Sequence, residues 1–207
     1  DNATVHNVPE PGGGPISPRR PIPELAGIRA IRFDGTSIYH AVTFKTARYL
    51  RNNVSFDVSY TLSQSKDDAS SPGPTAFEPN VPQDVRNIFP GEIARSSFDH
   101  RHQFVGSGTV ELPLYRGRGG WREGVFGNWR LSGIITAQSG APFTISLIED
   151  RANIGAGPAQ RPDLIGDPNL PSSQRGAGRW FNTGAFALQR ALTFGNAPRN
   201  PVIGPGY

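Results

Sequence analysis

Cysteine and methionine are both absent from this chain of 207 residues. Without cysteine there are no disulfide scaffolds, zinc–thiolate centres or thiol chemistry, and the redox compartment cannot be read. Long apolar runs are missing as well. Nothing approaches the ~18 consecutive apolar residues of a membrane helix, so any bilayer crossing must be made by strands. Hydrophobic residues make up only 36%, against 25 Gly and 20 Pro, so much of the length is loop and a large closed core is not expected. The net charge of +4 is modest and the arginines are scattered, which is not the concentrated footprint of a nucleic-acid binder. No nucleic-acid partner is expected. The chain starts at Asp1 without a charged-then-apolar signal segment and ends in the loop-like Asn200 to Tyr207, so it reads as processed or as a fragment.

What is present is alternation. Val54, Phe56, Val58, Tyr60 and Leu62 interleave with Ser55, Asp57, Ser59, Thr61 and Ser63, giving a strand with one oily and one wet face. A soluble sandwich needs about 5 or 6 such residues, whereas roughly 10 are needed to cross a bilayer at a tilt of about 45°. The length favours a transmembrane barrel.

Residues 1–24 are rich in Pro and Gly and read as an extended loop or arm without a regular element. Residues 25–148 hold the strands. Ile28 to Phe33 meets Asp34-Gly35, a strong hairpin signal, and is expected to turn into a strand over residues 38–50. In that strand Val42 and Phe44 mark the oily face and Lys45 the wet one. Arg51-Asn52-Asn53 is the next turn, and a long polar loop covers 65–97. A third strand is expected near 99–112, with Phe104, Gly106, Gly108, Val110 and Leu112 on its oily side. The Gly/Arg stretch 116–124 connects it to a fourth near 128–138, where Trp129 stands at an end that suits an interfacial aromatic. Residues 149–207 read as an irregular extracellular loop, with one turn of helix at 183–189. The expected fold is all-β: an antiparallel meander forming part of a large transmembrane β-barrel. Lys45, Asp57, Glu111 and Arg130 are the lumen-facing candidates. Phe44, Phe56, Tyr60, Phe104 and Trp129 are the lipid-facing belt.

Signals for catalysis or cofactors are weak. His100 and His102 share a strand face, as a metal pair would, yet no third ligand has a suitable spacing. Asp67, Asp68, Glu78, Asp84 and Glu92 offer the oxygens a calcium ion wants, without an ordered ligand-loop spacing. Gly106-Ser107-Gly108 is not a nucleophile elbow, because its glycines adjoin the serine and a strand surrounds it. Gly117-Arg118-Gly119-Gly120 lacks the lysine and helix of a phosphate loop. The aromatics at strand spacing fit a lipid belt better than a sugar or base platform. No enzyme activity, metal or cofactor is expected. Two readings remain: a membrane barrel, and a soluble or cell-surface β-rich binding or structural module in which a second sheet covers the oily face.

A series of phrases runs in order along most of the chain. They are Tyr39-His40-Ala41, Val58 to Asp68 (Val-Ser-Tyr-Thr-Leu-Ser-Gln-Ser-Lys-Asp-Asp), Ser97 to Val105 (Ser-Phe-Asp-His-Arg-His-Gln-Phe-Val) and Glu111-Leu112-Pro113. Gly127 to Ile134, Ser139 to Thr144 (Ser-Gly-Ala-Pro-Phe-Thr), Arg161-Pro162-Asp163-Leu164, Trp180 to Thr183 and Thr193-Phe194-Gly195-Asn196 follow. In this order they resemble the barrel region of Oar-like TonB-dependent outer-membrane receptors, the type that carries a carboxypeptidase-regulatory-like domain. The resemblance implies an energised transporter of a Gram-negative outer membrane, moving an unidentified substrate inward or outward. It further implies roughly 22 strands, a plug domain in the lumen, surrounding lipid and the TonB complex as partners. Nothing in the 207 residues looks like the plug, a TonB-contacting segment or a terminal aromatic strand, so an internal slice of the barrel is expected.

Overall fold

The computed structural model describes the chain except residues 1, 33, 52, 71–81, 88–91, 115–116, 118, 128 and 156–159. Its strands in chain order are β1 (Asn2–His6), β2 (Ile28–Arg32), β3 (Ser37–Arg51), β4 (Val54–Asp67), β5 (Ala94–Arg95) and β6 (His102–Leu112). β7 (Trp129–Gln138), β8 (Pro142–Phe143), β9 (Asp163–Leu164), β10 (Phe186–Ala187) and β11 (Val202–Ile203) complete the series. Among the described residues one short α-helix, α1 (Trp121–Phe126), and three 3-10 turns, at Ser17–Arg19, Ser172–Gln174 and Thr183–Ala185, interrupt it, the last within the helical turn expected at 183–189. The fold is all-β and antiparallel, as the alternation predicts. Two compact units form: one from His40–Ser63, His100–Ser139 and Gly206–Tyr207, the other from Asp1–Tyr39, Gln64–Asp99 and Gly140–Pro205.

The first unit is built on the sheet order β3-β4-β6-β7. Val54, Phe56, Val58 and Tyr60 stand opposite Val110, Gly108, Gly106 and Phe104. Those four in turn oppose Leu131, Gly133, Ile135 and Ala137, with Leu112 opposite Trp129. Directly opposed residues share a face, so the apolar sets of three strands merge into one surface. A slip by one residue would mix the two faces, which is how the pattern fixes the register. Gly106 on the oily side is covered by a neighbour: a Cβ there would lie 3.3 Å from the Phe104 ring. Asn53, at φ 63°, takes the left-handed turn position that asparagine tolerates, and its carbonyl accepts the Glu111 N–H at 2.8 Å. Val54 pairs with Val110 and Trp129 with Leu112, so the start of β4, the end of β6 and the start of β7 lie at one end of the sheet.

Two details of this unit differ from the sequence reading. β6 starts at His102 rather than near Asp99, because Asp99 is held in a turn by its N–H bond to the Ser96 carbonyl. The Gly/Arg connection contains α1, whose Glu123 carboxylate gathers the N–H groups of Gly117 and Gly119 at 2.7 and 2.6 Å.

The second unit corrects two expectations. Residues 1–24 do contain a regular element, since β1 pairs antiparallel with β2 from Asn2 opposite Arg32 to His6 opposite Ile28. The prolines begin only at Pro9, leaving β-branched Thr4 and Val5 free to extend. The Asp34-Gly35 hairpin does not form. β2 belongs to a two-stranded sheet with β1, while β3 belongs to the sheet of β4, β6 and β7. Instead the Thr36 N–H donates to the Asp68 carboxylate at 3.0 Å, and the Asp68 N–H donates to the Thr36 carbonyl at 3.2 Å.

The described residues of 140–205 carry no long strand, yet they are firmly tied. β8 pairs with β11 and β9 with β10, and Phe181 packs edge-on against both Phe143 and Phe186. Buried apolar residues are mostly small, among them Ala152, Ala185, Ala197 and Val202. Ion pairs fill much of the remainder. Arg161 grips Glu92 through two bonds of 2.9 and 2.8 Å, and Arg199 pairs with Asp67 at 3.3 Å while donating to the Glu92 carbonyl. Gly195 permits this packing, for a Cβ there would fall 2.1 Å from the Arg161 carbonyl oxygen.

Candidate functional site

The wet face of the sheet gathers the four residues singled out as lumen-facing. Lys45 pairs with Asp57 at 3.1 Å, and Arg130 with Glu111 at 2.5 Å, the second pair being direct cross-strand neighbours. Hydroxyl contacts continue the stripe, Thr43 to Thr61 and Thr109 to Ser132, each at 3.0 Å. Lys45 is 63% and Arg130 67% exposed, so each pair contributes about 0–1 kcal/mol. Their consequence is surface chemistry rather than stability: charges of both signs are held in fixed alternation over a hydrated wall. Between them an open hollow of about 680 Å³ is lined by Tyr49, Ser55, Asp57, Thr109, Ser132 and Ile134 among others. The hydroxyls of Tyr49, Ser55, Thr109 and Ser132 and the Asp57 carboxylate suit hydrogen bonding to a polar solute. The strand alternation places Tyr49 and Ile134 on this wet face, although neither is among the four lumen-facing candidates.

The opposite face carries the aromatic belt residues. Phe44 is 66% and Trp129 57% exposed. Phe56, Tyr60 and Phe104 are half-buried against their neighbours. Tyr60 stacks on His102 and shares a 2.7 Å hydrogen bond with its Nδ1, and the Trp129 indole donates to the Val125 carbonyl at 2.6 Å. Leu131 and Ile135 are also exposed here, so the apolar surface is continuous and large. Such a surface marks contact with lipid or protein.

The other candidates are engaged elsewhere. His100 donates to the Ser139 carbonyl at 2.7 Å while His102 meets Tyr60, so the two imidazoles are held by separate partners. The acidic residues are divided in the same way: Asp67 bonds Arg199, Glu92 bonds Arg161, Asp84 bonds Arg86, and Asp68 accepts from Thr36. Glu78 lies outside the described residues. Ser107 sits inside β6 with no helix after it. The Gly117–Gly120 loop does bind an anion through its backbone, and that anion is the Glu123 carboxylate. The two Gly N–H bonds hold this carboxylate below the usual glutamate range. Arg161, Arg199 and Glu123 were the residues sequence reasoning missed. The phrase Arg-Pro-Asp-Leu signalled Arg161, but not what it binds.

The chain matches the family described as outer membrane beta barrel domain over residues 2–207. No curated protein and no solved structure matches it. The chain belongs to that family, and its place is the outer membrane of a Gram-negative bacterium, in contact with membrane lipid.

Proposed function

We propose that this member of the outer membrane beta barrel domain family supplies barrel wall and external loops to an Oar-like TonB-dependent receptor. Such a receptor moves its substrate across the outer membrane with energy delivered by the TonB complex. One observation carries the barrel-wall reading: a single sheet has a continuous exposed apolar face and, opposite it, the Lys45–Asp57 and Glu111–Arg130 pairs. In a barrel the first meets acyl chains and the second the lumen. A strand of β7's 10 residues rises about 33 Å and, tilted near 45°, spans about 23 Å, close to the roughly 25 Å apolar band of outer-membrane barrels.

Support for the TonB-dependent reading comes from the ordered sequence phrases. Several of them hold residues that the packing needs, such as Arg161 and Gly195. On this reading Lys45, Asp57, Glu111 and Arg130 face water, a plug domain or passing substrate, and residues 65–97 and 149–207 belong to extracellular loops. The role is transport without covalent chemistry. Site-specific photo-crosslinking of the complete protein in living cells tests it. A TonB adduct whose yield falls when the proton-motive force is collapsed is expected; a correctly assembled barrel that never yields the adduct overturns the TonB-dependent reading.

A further inference from the structure

We infer that α1 and its flanks form a membrane-surface anchor, a small amphipathic element that rests in the phosphate headgroup layer beside the barrel. The inference rests on the barrel-wall reading above. A helix of six residues is far too short to be stable alone in water, so its attachments are informative. Glu123 ties its first turn to the glycine loop through the Gly117 and Gly119 N–H groups. At the other end the Trp129 indole donates to the Val125 carbonyl. Trp129 stands opposite Leu112 on the apolar face, so the helix is fixed at the margin of the surface that meets lipid.

Its side chains suit that margin. Trp121 and Val125, one helical turn apart, are 70% and 52% exposed, and Leu114 before the helix is exposed as well. With Leu112 and Trp129 they extend the apolar face past the last strand residues. The Arg122 guanidinium lies 5.5 Å from the Trp121 ring centroid, pairing a ring that favours the interface with a cation that favours phosphate. Arg116 and Arg118 add positive charge to the same segment of sequence. Its acid, Glu123, is already bonded to the loop backbone. Apolar continuity with the lipid-facing surface, together with three arginines against one glutamate over residues 114–126, selects a phospholipid headgroup layer over a protein partner.

These 207 residues hold no cysteine, so once any cysteine elsewhere in the complete protein is replaced, a single label reports one site. Val125→Cys and, as a second site, Leu114→Cys carry a polarity-sensitive fluorophore in the complete protein, reconstituted in vesicles of phosphatidylethanolamine and phosphatidylglycerol. Nitroxide lipids labelled near the headgroup are expected to quench either site about two-fold or more over lipids labelled near the chain end, as interfacial seating requires. Quenching by aqueous iodide and by neither lipid overturns the anchor, and so does stronger quenching from the chain-end label. Ile135→Cys on β7 separates the two claims. An iodide-accessible Ile135 site sinks the barrel-wall reading itself, whereas a deep Ile135 site beside an aqueous Val125 site sinks only the anchor.

Discussion

Arg161 is only 6% exposed beside Glu92 at 3%, and its Nε also donates to the Ala197 carbonyl. In a unit whose apolar core is mostly alanine and valine, this cluster does the joining that leucine side chains do elsewhere. Removing one member strands the other charge, at a cost of about 3–5 kcal/mol. Arg161→Met is therefore expected to expose residues 92 and 195–197 to hydrogen exchange in the assembled protein, while exchange in β4 and β6 changes little. Unchanged protection around Glu92 would refute the assignment. The pair links residues 69 apart, which no local pattern reveals; only its place in the phrase Arg-Pro-Asp-Leu marked the position. Glu123 gives a pH signature at the same scale. Its folded value is lowered, so its hold on the loop is complete above the usual glutamate value near 4.3 and is lost as pH falls through the lower, folded value. The Gly119 amide resonance is expected to titrate with a midpoint below the ordinary glutamate value, and to lose that titration in Glu123→Gln. A midpoint at or above the ordinary value would contradict the bond.

At the scale of elements, β4, β6 and β7 were legible because a period of two admits one register that keeps oil with oil. The misreadings occurred where local signals competed with distant partners. Asp34-Gly35 is a hairpin dipeptide, yet Asp68 supplies Thr36 with its bonds. β1 was hidden by the prolines that follow it, and α1 by the glycines that precede it. In the barrel wall Val58 and Ser59 are adjacent in sequence and opposite in face. On the proposed face assignment Val58→Arg places a charge on the lipid side, costing about 2–4 kcal/mol near mid-bilayer, whereas a polar substitution on the lumen side is tolerated. Heat-modifiable, folded barrel is expected to be strongly depleted for Val58→Arg and nearly normal for Ser59→Arg. Equal yields would count against the face assignment.

At the scale of the whole molecule, the sheet among the described residues begins at β3 and ends at β7. Near the end of β7, Gln138 and Tyr207 exchange both backbone hydrogen bonds. Four long strands do not enclose a lumen, and an open edge in lipid leaves backbone groups unpaired at several kcal/mol each. Residues 1–207 expressed alone are accordingly expected to aggregate or pair edge to edge rather than insert as a monomeric pore. A monodisperse, detergent-free monomer with one cooperative unfolding transition would contradict this. The two-faced wall itself is tested most directly by single cysteines placed at each position from Val54 to Leu62 in the complete protein, in intact outer membranes, and reacted with a water-soluble maleimide. Alternating reactivity is the expected result, with Ser55, Asp57, Ser59 and Thr61 positions labelled and Val54, Phe56, Val58, Tyr60 and Leu62 positions protected until the membrane is dissolved. Uniform labelling along the strand, or protection of the serine and threonine positions instead, would contradict it.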